Sequence, residues 1–265
     1  MIRSVAGAFA VQRNAMPKLL CPTVFCNDIS GLLRQSYMKE SDNTDNKPKI
    51  ERKWKKNRGT GDKGQSSLFT GERRWKDDRI FEALGATDEL SAAIGKMRHM
   101  CNEAGLFDVT EKLIDMQCTL QDIGAHIATP LTSKTTEMMR KHTQFDIAYA
   151  DELDEWIDYY ANDLPPLKMF ILAGGNLLSS CMHEARCICR RAERSLIPLL
   201  REGEVDRAAV QYLNRLSDLL FVLGRYVCHK TNDEEIAYKK KLPRTTKGSN
   251  GTSGKDSHDW KKYKV

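Results

Sequence analysis

The sequence predicts an all-α protein built as a five-helix bundle. Two observations carry this prediction. From Phe81 onward, apolar residues recur at three- and four-residue spacing in five successive segments, and no segment shows the alternation that would make a convincing strand. Short connections join the five segments, which favours helices that pack side by side around one core. A chain of 265 residues is long enough for one large domain or two small ones.

The two ends of the chain differ from its middle in composition. Residues 1–27 contain Arg3, Arg13 and Lys18 but no acidic residue, which is typical of a mitochondrial transit peptide. An N-terminus without a targeting role is the alternative. Residues 39–49 are polar and without pattern, so we predict a transit peptide and disordered linker over 1–49. The Lys-, Gly- and Ser-rich residues 239–265 predict a disordered basic tail.

The charge of the chain is unevenly distributed. The total is +6, of which residues 239–265 carry +7 and residues 1–49 carry +3, so that residues 50–238 carry −4. This acidic middle argues against a general nucleic-acid-binding surface, and no apolar run is long enough to span a membrane. The eight cysteines include no C-x-x-C pair and no zinc pattern, so we expect reduced thiols in an intracellular compartment.

A glycine-rich stretch precedes the first helix. In residues 58–78 the glycines at 59, 61, 64 and 71 alternate with Ser, Thr and Lys63. Glycines allow backbone N–H groups to approach a ligand closely, and hydroxyls and a lysine can contact phosphate oxygens. The spacing of a Walker loop is absent. A phosphate-binding loop and a flexible surface turn are therefore both open, and the second is the more common explanation.

The first three helices follow in order. The first begins at Phe81, closes at Gly105 and has an apolar stripe of Ala83, Thr87, Leu90, Ile94, Met97 and Cys101. Asp88 lies beside this stripe, and an acid near a buried seam usually has a partner. The second helix is predicted over 108–128 and the third over 145–162, with residues 131–144 as a polar connection.

The fourth helix, about 175–201, presents two stripes. Its apolar face contains Leu178, Cys181, Ala185, Ile188, Ala192, Leu196 and Leu199. Nearly opposite lie His183, Arg186, Arg190 and Arg194. Several guanidinium groups aligned on one rigid helix suit a polyphosphate, whereas an isolated charge run is usually a solvated face. From this helix alone the two interpretations are about even.

The fifth helix is predicted over about 205–230, after Gly203. Its apolar seam contains Ala209, Leu213, Leu216, Leu220, Leu223 and Val227. Asn214, Asp218 and Arg225 share another side of the helix. They either form hydrated surface, which the periodicity favours, or face the arginine stripe and supply an amide and a carboxylate.

Several motifs occur in a fixed order over about residues 55–230. They are Thr60-Gly61-Asp62-Lys63-Gly64, Thr87-Asp88-Glu89-Leu90, Gln117-Cys118-Thr119-Leu120-Gln121-Asp122, Leu164-Pro165-Pro166-Leu167, Cys189-Arg190-Arg191-Ala192-Glu193-Arg194 and Tyr212-Leu213-Asn214-Arg215-Leu216-Ser217-Asp218. Together they resemble the trimeric type of ATP:cob(I)alamin adenosyltransferase. With the predicted transit peptide, the chain is similar to the mitochondrial animal form, and residues 50–238 would be its catalytic domain.

This resemblance implies an activity and its partners. The chain would transfer the 5′-deoxyadenosyl group of ATP to reduced cobalamin, giving adenosylcobalamin and triphosphate, in the mitochondrial matrix. It would be a homotrimer of five-helix bundles with active sites between subunits. A reductase and an adenosylcobalamin-dependent mutase are candidate partners. The alternative is a non-catalytic trimeric chaperone that binds nucleotide or cobalamin, and a helical scaffold whose basic tail touches RNA or membrane is a third hypothesis.

The resemblance also implies roles for individual residues. The ATP loop would comprise Arg58, Gly59, Thr60, Gly61, Asp62, Lys63, Ser66, Ser67 and Lys76. The triphosphate would be neutralised by Arg190, Arg191 and Arg194. Glu193 would help to bind magnesium, and Asn214 and Asp218 complete the proposed ligand-binding set, with Asn214 on the nucleotide.

Two further roles follow from the resemblance and complete the catalytic set of Phe170, Asp88, Arg186 and Arg190. Asp88 would pair with Arg186 across the subunit interface. Phe170 would pack against the lower face of the corrin and help to displace the lower axial ligand. His183 is expected to be an orienting or interface residue.

The sequence departs from the family pattern at three positions. Gly59 stands where the family usually has a lysine, Trp75 stands where it has a proline, and Ala173 begins the turn that is usually Pro-Gly-Gly. The first departure concerns ATP affinity, and Arg58, Lys55 and Lys56 are candidates to replace the lysine. The other two mainly alter turn conformations.

Overall fold

The computed structural model describes residues 59–240. Its elements in chain order are β1 Gln65–Ser67, β2 Arg73–Trp75, α1 Arg79–Glu103, α2 Phe107–Ile127, α3 Glu137–Thr143, α4 Ala148–Ala161, α5 Leu177–Arg201 and α6 Arg207–Lys230. The five long helices confirm the predicted all-α bundle. The predicted transit peptide and linker, Arg58 and residues 241–265 of the predicted tail lie outside the described residues.

Two details of the predicted secondary structure are wrong. The glycine-rich stretch contains a short antiparallel hairpin in which Gln65 pairs with Trp75 and Ser67 with Arg73. Strands of three residues are too short to show an alternating pattern. The predicted polar connection contains α3, a seven-residue helix whose N-cap is Thr136. Since only Thr143 of this helix is buried, it has no apolar stripe by which sequence analysis could detect it.

The core lies between the five long helices. α1 packs against α2 and α5, α6 packs against α5 and α4, and the predicted stripe of α1 is entirely buried. The predicted seam of α6 is also buried, and α5 adds Met182 and Cys189 to its predicted face, on which Ile188 is only partly buried. Burying a Leu or Ile side chain stabilises a fold by roughly 1.5–3 kcal/mol, so these seams fix how the helices pack.

The hairpin is held at the end of the bundle where α2 and α5 terminate. The Phe69 amide donates to the Ala128 carbonyl at 3.0 Å. Arg74 is half-buried and lies within ion-pair distance of Glu72, Asp78 and Glu204. Because Asp78 also caps α1 through the Ile80 amide, the hairpin continues directly into the first helix. The glycine-rich loop therefore has a defined place relative to α1 and α5.

Two features are absent from the part of the chain that the structure describes, residues 59–240. None of the helices there is long and apolar enough to cross a membrane. No disulfide bond joins the cysteines of this part of the chain.

Candidate functional site

The glycine-rich loop forms two successive tight turns. The Asp62 amide donates to the Gly59 carbonyl at 3.2 Å, and the Gly64 amide donates to the Gly61 carbonyl at 3.1 Å. Gly59 and Gly64 have φ values of +86° and +79°, a region that residues with a Cβ seldom adopt. The backbone conformation therefore requires glycine at positions 59 and 64. This favours a loop of defined conformation over a flexible surface turn.

Arg73 and Lys76 of the hairpin bring positive charge to this loop. One terminal nitrogen of Arg73 donates to the carbonyls of Thr60 at 3.0 Å and Gln65 at 3.3 Å. The Lys76 ammonium lies so close to Gly61 that a Cβ there would meet it at 2.9 Å. Sequence analysis gave Arg73 no role, because its nearest partners are backbone carbonyls, which leave no residue-type signal.

Of the five arginines of α5, only Arg191 takes part in an ion pair within residues 59–240. Arg190 and Arg194 are exposed one turn apart, and neither takes part in any ion pair within residues 59–240. Arg191 instead pairs with Glu89 of α1. Two exposed guanidinium groups one turn apart on one rigid helix can bind oxygens of the same polyphosphate, which suits an anion site.

His183 and Arg186 occupy the N-terminal half of the same helix. The prediction that His183 belongs to an outward-facing stripe is wrong: its ring is buried against Gly224 and Phe221, because Gly224 leaves no side chain in its way. Burial, and secondarily Arg186, lowers the pKa of His183. The His183 Nδ1 and the Arg186 Nε are buried and have no hydrogen-bond partner within the described chain.

The three residues predicted to share one side of α6 have different surroundings in the structure. Asn214 faces α5, where its side-chain amide donates to Glu193 at 3.0 Å. Asp218 is exposed, 4.0 Å from Arg215. The surface interpretation is wrong for Arg225, which is only 6% exposed and binds Glu235. Its partner lies beyond the end of the helix, so helical periodicity could not reveal this pair.

Glu193 is the predicted magnesium ligand. One of its oxygens accepts from Asn214, and the described residues contain no group of three or more candidate metal ligands. Magnesium is usually bound through one or two protein carboxylates together with substrate phosphates and water. A single carboxylate beside unpaired arginines fits an ion that arrives with ATP.

Phe170 lies seven residues before the N-terminal end of α5. Its side chain is 83% exposed, and Met169, Leu172 and Leu177 nearby are also exposed. About 20 Å of α5 separates Leu177 from Arg190, at 1.5 Å per residue. Within one chain, the predicted corrin contact and the predicted triphosphate contacts therefore lie at different levels of the bundle.

Asp88 is exposed on α1, one residue before Glu89. It takes part in no ion pair within residues 59–240, and the predicted pairing with Arg186 is not made inside one chain. The prediction placed this pair between two subunits, so it stays a prediction.

Comparison with known proteins points to one family. Residues 57–227 match the family model described as cobalamin adenosyltransferase. The chain is 47% identical to the bovine corrinoid adenosyltransferase MMAB over 223 residues, which is 84% of this chain and 89% of the bovine protein. It is 35% identical to a corrinoid adenosyltransferase of Bacillus subtilis over 68% of this chain and 90% of the bacterial protein.

Solved structures agree with the sequence relatives. One is a variant of the PduO-type ATP:corrinoid adenosyltransferase of Lactobacillus reuteri complexed with cobalamin and ATP. It matches with a TM-score of 0.63 and 31% identity, over 68% of this chain and 97% of that chain. Another variant of that enzyme, complexed with ATP, matches with a TM-score of 0.61 and 32% identity, over 68% and 97% of the two chains.

Proposed function

Because the chain belongs to the cobalamin adenosyltransferase family, we propose that it transfers the 5′-deoxyadenosyl group of ATP to reduced cobalamin. The products are adenosylcobalamin and triphosphate. One observation carries the assignment to this chain's own residues: Arg190 and Arg194 stand exposed, one turn apart and without ion pairs in the described residues, in the C-terminal half of α5. Guanidinium groups so placed are suited to a polyphosphate leaving group.

The reaction needs no nucleophile from the protein, because reduced cobalamin supplies it. The cobalt(I) of reduced cobalamin donates its electron pair to C5′ of ATP, the C5′–O bond breaks, and its electrons leave with the triphosphate. Cobalt(I) is itself a strong nucleophile, so the chain needs no Ser-His or Cys-His pair. Its residues hold C5′ in line with cobalt and stabilise the charge that develops on the triphosphate.

The ATP site would combine the hairpin with α5. The glycines of 59–64 would let the backbone approach a ligand closely, and Lys63, Ser66, Ser67 and Lys76 would supply the polar contacts. Arg190, Arg191 and Arg194 would face the triphosphate, with Asn214 and Asp218 beside them. Magnesium, held by Glu193 and the phosphates, would supply charge neutralisation when bound.

The cobalamin site would centre on Phe170. Its ring is exposed among other apolar side chains, which supports packing against the lower face of a corrin. An aromatic wall there excludes water and helps to displace the lower axial ligand of cobalamin. Loss of that ligand makes cobalt(II) easier to reduce to the reactive cobalt(I) state.

A homotrimer would complete the site. Arg186 is partly buried and takes part in no ion pair within residues 59–240, so the exposed carboxylate of Asp88 is a candidate partner on a neighbouring subunit. A buried charged donor without an acceptor is costly, so such a pair would stabilise the assembly. Sharing a site between subunits would also bring Phe170 and the arginines of different chains together.

The setting of the activity is proposed on sequence grounds. We place the catalytic domain at residues 50–238 and the protein in the mitochondrial matrix, after removal of a transit peptide within residues 1–49. A reductase that supplies the electrons and a mutase that accepts the product are the proposed partners.

A non-catalytic cobalamin or nucleotide chaperone is the second candidate, because of Gly59. A side chain at this position would be strained at φ +86° and would lie 3.1 Å from the Asp62 carboxylate. The loop therefore cannot take the family's lysine there without rearrangement. Cobalamin binding without ATP-dependent alkylation would favour the chaperone.

The direct experiment incubates the full chain with ATP, magnesium and pre-reduced cobalamin. We expect adenosylcobalamin and triphosphate in equal amounts, formed faster than in the absence of protein. Formation of adenosylcobalamin no faster than the non-enzymatic background, or release of phosphate and diphosphate instead of triphosphate, would refute the proposed reaction.

A further inference from the structure

The segment that carries Phe170 is held by the C-terminal end of the described chain. The Leu172 amide donates to the Ile236 carbonyl at 2.8 Å, and the Tyr238 amide donates to the Phe170 carbonyl at 2.7 Å. Ile171 and Ala237 face each other in this antiparallel bridge. The backbone of Phe170 is thus fixed, while its side chain is free to meet a ligand.

A buried ion pair fixes the partner segment in turn. Arg225 of α6 donates from Nε to the two Glu235 oxygens at 2.9 and 3.2 Å, and from one terminal nitrogen to a Glu235 oxygen at 3.1 Å. That nitrogen also donates to the Pro165 carbonyl at 3.1 Å. One guanidinium group therefore joins α6, the start of the Phe170 segment and the strand-like residues that pair with it.

The other polar contacts between α6 and the Phe170 segment are more exposed than the Arg225–Glu235 pair. The Asn176 side chain donates to Thr231 and Asp233 at 2.7 Å each, but all three residues lie nearer solvent. The Lys230–Asp163 pair also joins α6 to this region, yet both side chains are at least 40% exposed. Exposed ion pairs contribute little, whereas breaking a buried one leaves an uncompensated charge.

We propose that the Arg225–Glu235 pair positions Phe170. The pair would fix where the Phe170 ring lies when it meets the corrin. The expected effect on catalysis rests on the proposed function, whereas the contacts of Arg225 and Glu235 do not depend on it. Arg225 and Glu235 would not touch either substrate. They would act through Pro165 and the 236–238 bridge, so their loss should impair the step that needs Phe170 and spare ATP binding.

The test compares Glu235→Gln with Asp163→Asn in the full chain. Asp163→Asn is the matched control, because it removes an exposed pair that reaches the same region from the same helix. Hydrogen-exchange mass spectrometry should show at least tenfold faster exchange in peptides containing Leu172 and Tyr238 for Glu235→Gln. Exchange in α1 and α2 peptides, and all exchange in Asp163→Asn, should match wild type.

The second readout is the ratio of two rates. Adenosylcobalamin formation is measured from cob(II)alamin with a reductant and from pre-reduced cob(I)alamin. Glu235→Gln should lose at least fivefold more activity with cob(II)alamin than with cob(I)alamin, with an unchanged KM for ATP. Faster exchange with an unchanged ratio, or wild-type exchange at both peptides, would overturn the proposal.

A double variant guards against misfolding of the single one. Arg225→Leu with Glu235→Leu removes both charges together, which is often neutral for stability, and should reproduce the local exchange and the altered ratio. A folded double variant with wild-type behaviour in both readouts would refute the positioning role. If the wild-type chain formed no adenosylcobalamin, the proposed function would fail, while the exchange result would still decide whether the pair holds the Phe170 segment.

Discussion

The molecule has a cationic end, made of the hairpin and the C-terminal half of α5, and an apolar end around Phe170, and the two are built in opposite ways. In the C-terminal half of α5, Arg190 and Arg194 stay without ion pairs in the described chain, and Lys76, directly after the hairpin, lies over the backbone of Gly61. Near Phe170, the polar groups that shape the segment are bonded to one another, and large apolar side chains are left exposed. The cationic end offers unpaired positive charge, which a polyanion would require. The apolar end offers exposed apolar surface, which a corrin would require.

The largest expected effect comes from Arg190→Ala at the cationic end. A charge-assisted contact is worth roughly 1.5–3 kcal/mol, so kcat/KM for ATP should fall by roughly 10- to 150-fold. Arg201→Ala is the matched control, because Arg201 is an exposed arginine of the same helix to which no ligand-binding role is assigned. Steady-state kinetics with varied ATP give the answer, and wild-type kinetics in Arg190→Ala would remove this residue from the site.

Phe170→Ala should separate the apolar end from the cationic one. We expect a fall of at least tenfold with cob(II)alamin and a reductant, a much smaller loss with cob(I)alamin, and an unchanged KM for ATP. Phe107→Ala, an exposed phenylalanine at the start of α2, should behave as wild type. Equal losses with both oxidation states of cobalamin would argue against the account of the lower ligand.

Gly61→Ala should have a smaller effect, confined to the cationic end. The new methyl group would lie 2.9 Å from the Lys76 ammonium, which is the flexible end of a side chain and can move. We therefore expect a several-fold higher KM for ATP with little change in thermal stability. Gly124→Ala, where a Cβ meets nothing within 4 Å, is the control and should leave the KM unchanged.

The smallest effect concerns pH and the buried His183 between the two ends. Burial lowers its folded pKa, so the unfolded chain binds a proton more readily than the folded chain. Stability should therefore be lost as pH falls below the ordinary histidine pKa of about 6.5. In His183→Phe, the melting temperature should depend less on pH between 7.5 and 5.5, whereas His99→Gln, at an exposed histidine, should keep the wild-type dependence.

Sequence analysis predicted the bundle because its helices carry long apolar stripes, and the buried stripe of α1 is the clearest case. It also singled out Arg190 and Arg194, since an aligned cationic stripe is visible in periodicity alone. It missed the hairpin, whose strands are too short for a pattern, and α3, which buries almost nothing.

Three features were beyond the sequence for a common reason, which is that their partners are remote or lack a residue-type signal. Arg73 binds backbone carbonyls, Arg225 binds Glu235 beyond its own helix, and His183 is buried because Gly224 leaves room for its ring. Periodicity describes one helix at a time and cannot detect such contacts.

The most direct test of this division is the dissociation constant for ATP, measured by titration calorimetry on the full chain with magnesium. Wild type, Arg190→Ala and Phe170→Ala are compared under the same conditions. The division of the molecule into a polyphosphate end and a corrin end predicts at least tenfold weaker ATP binding in Arg190→Ala and wild-type binding in Phe170→Ala. Unchanged binding in Arg190→Ala, or an equal loss in Phe170→Ala, would contradict it.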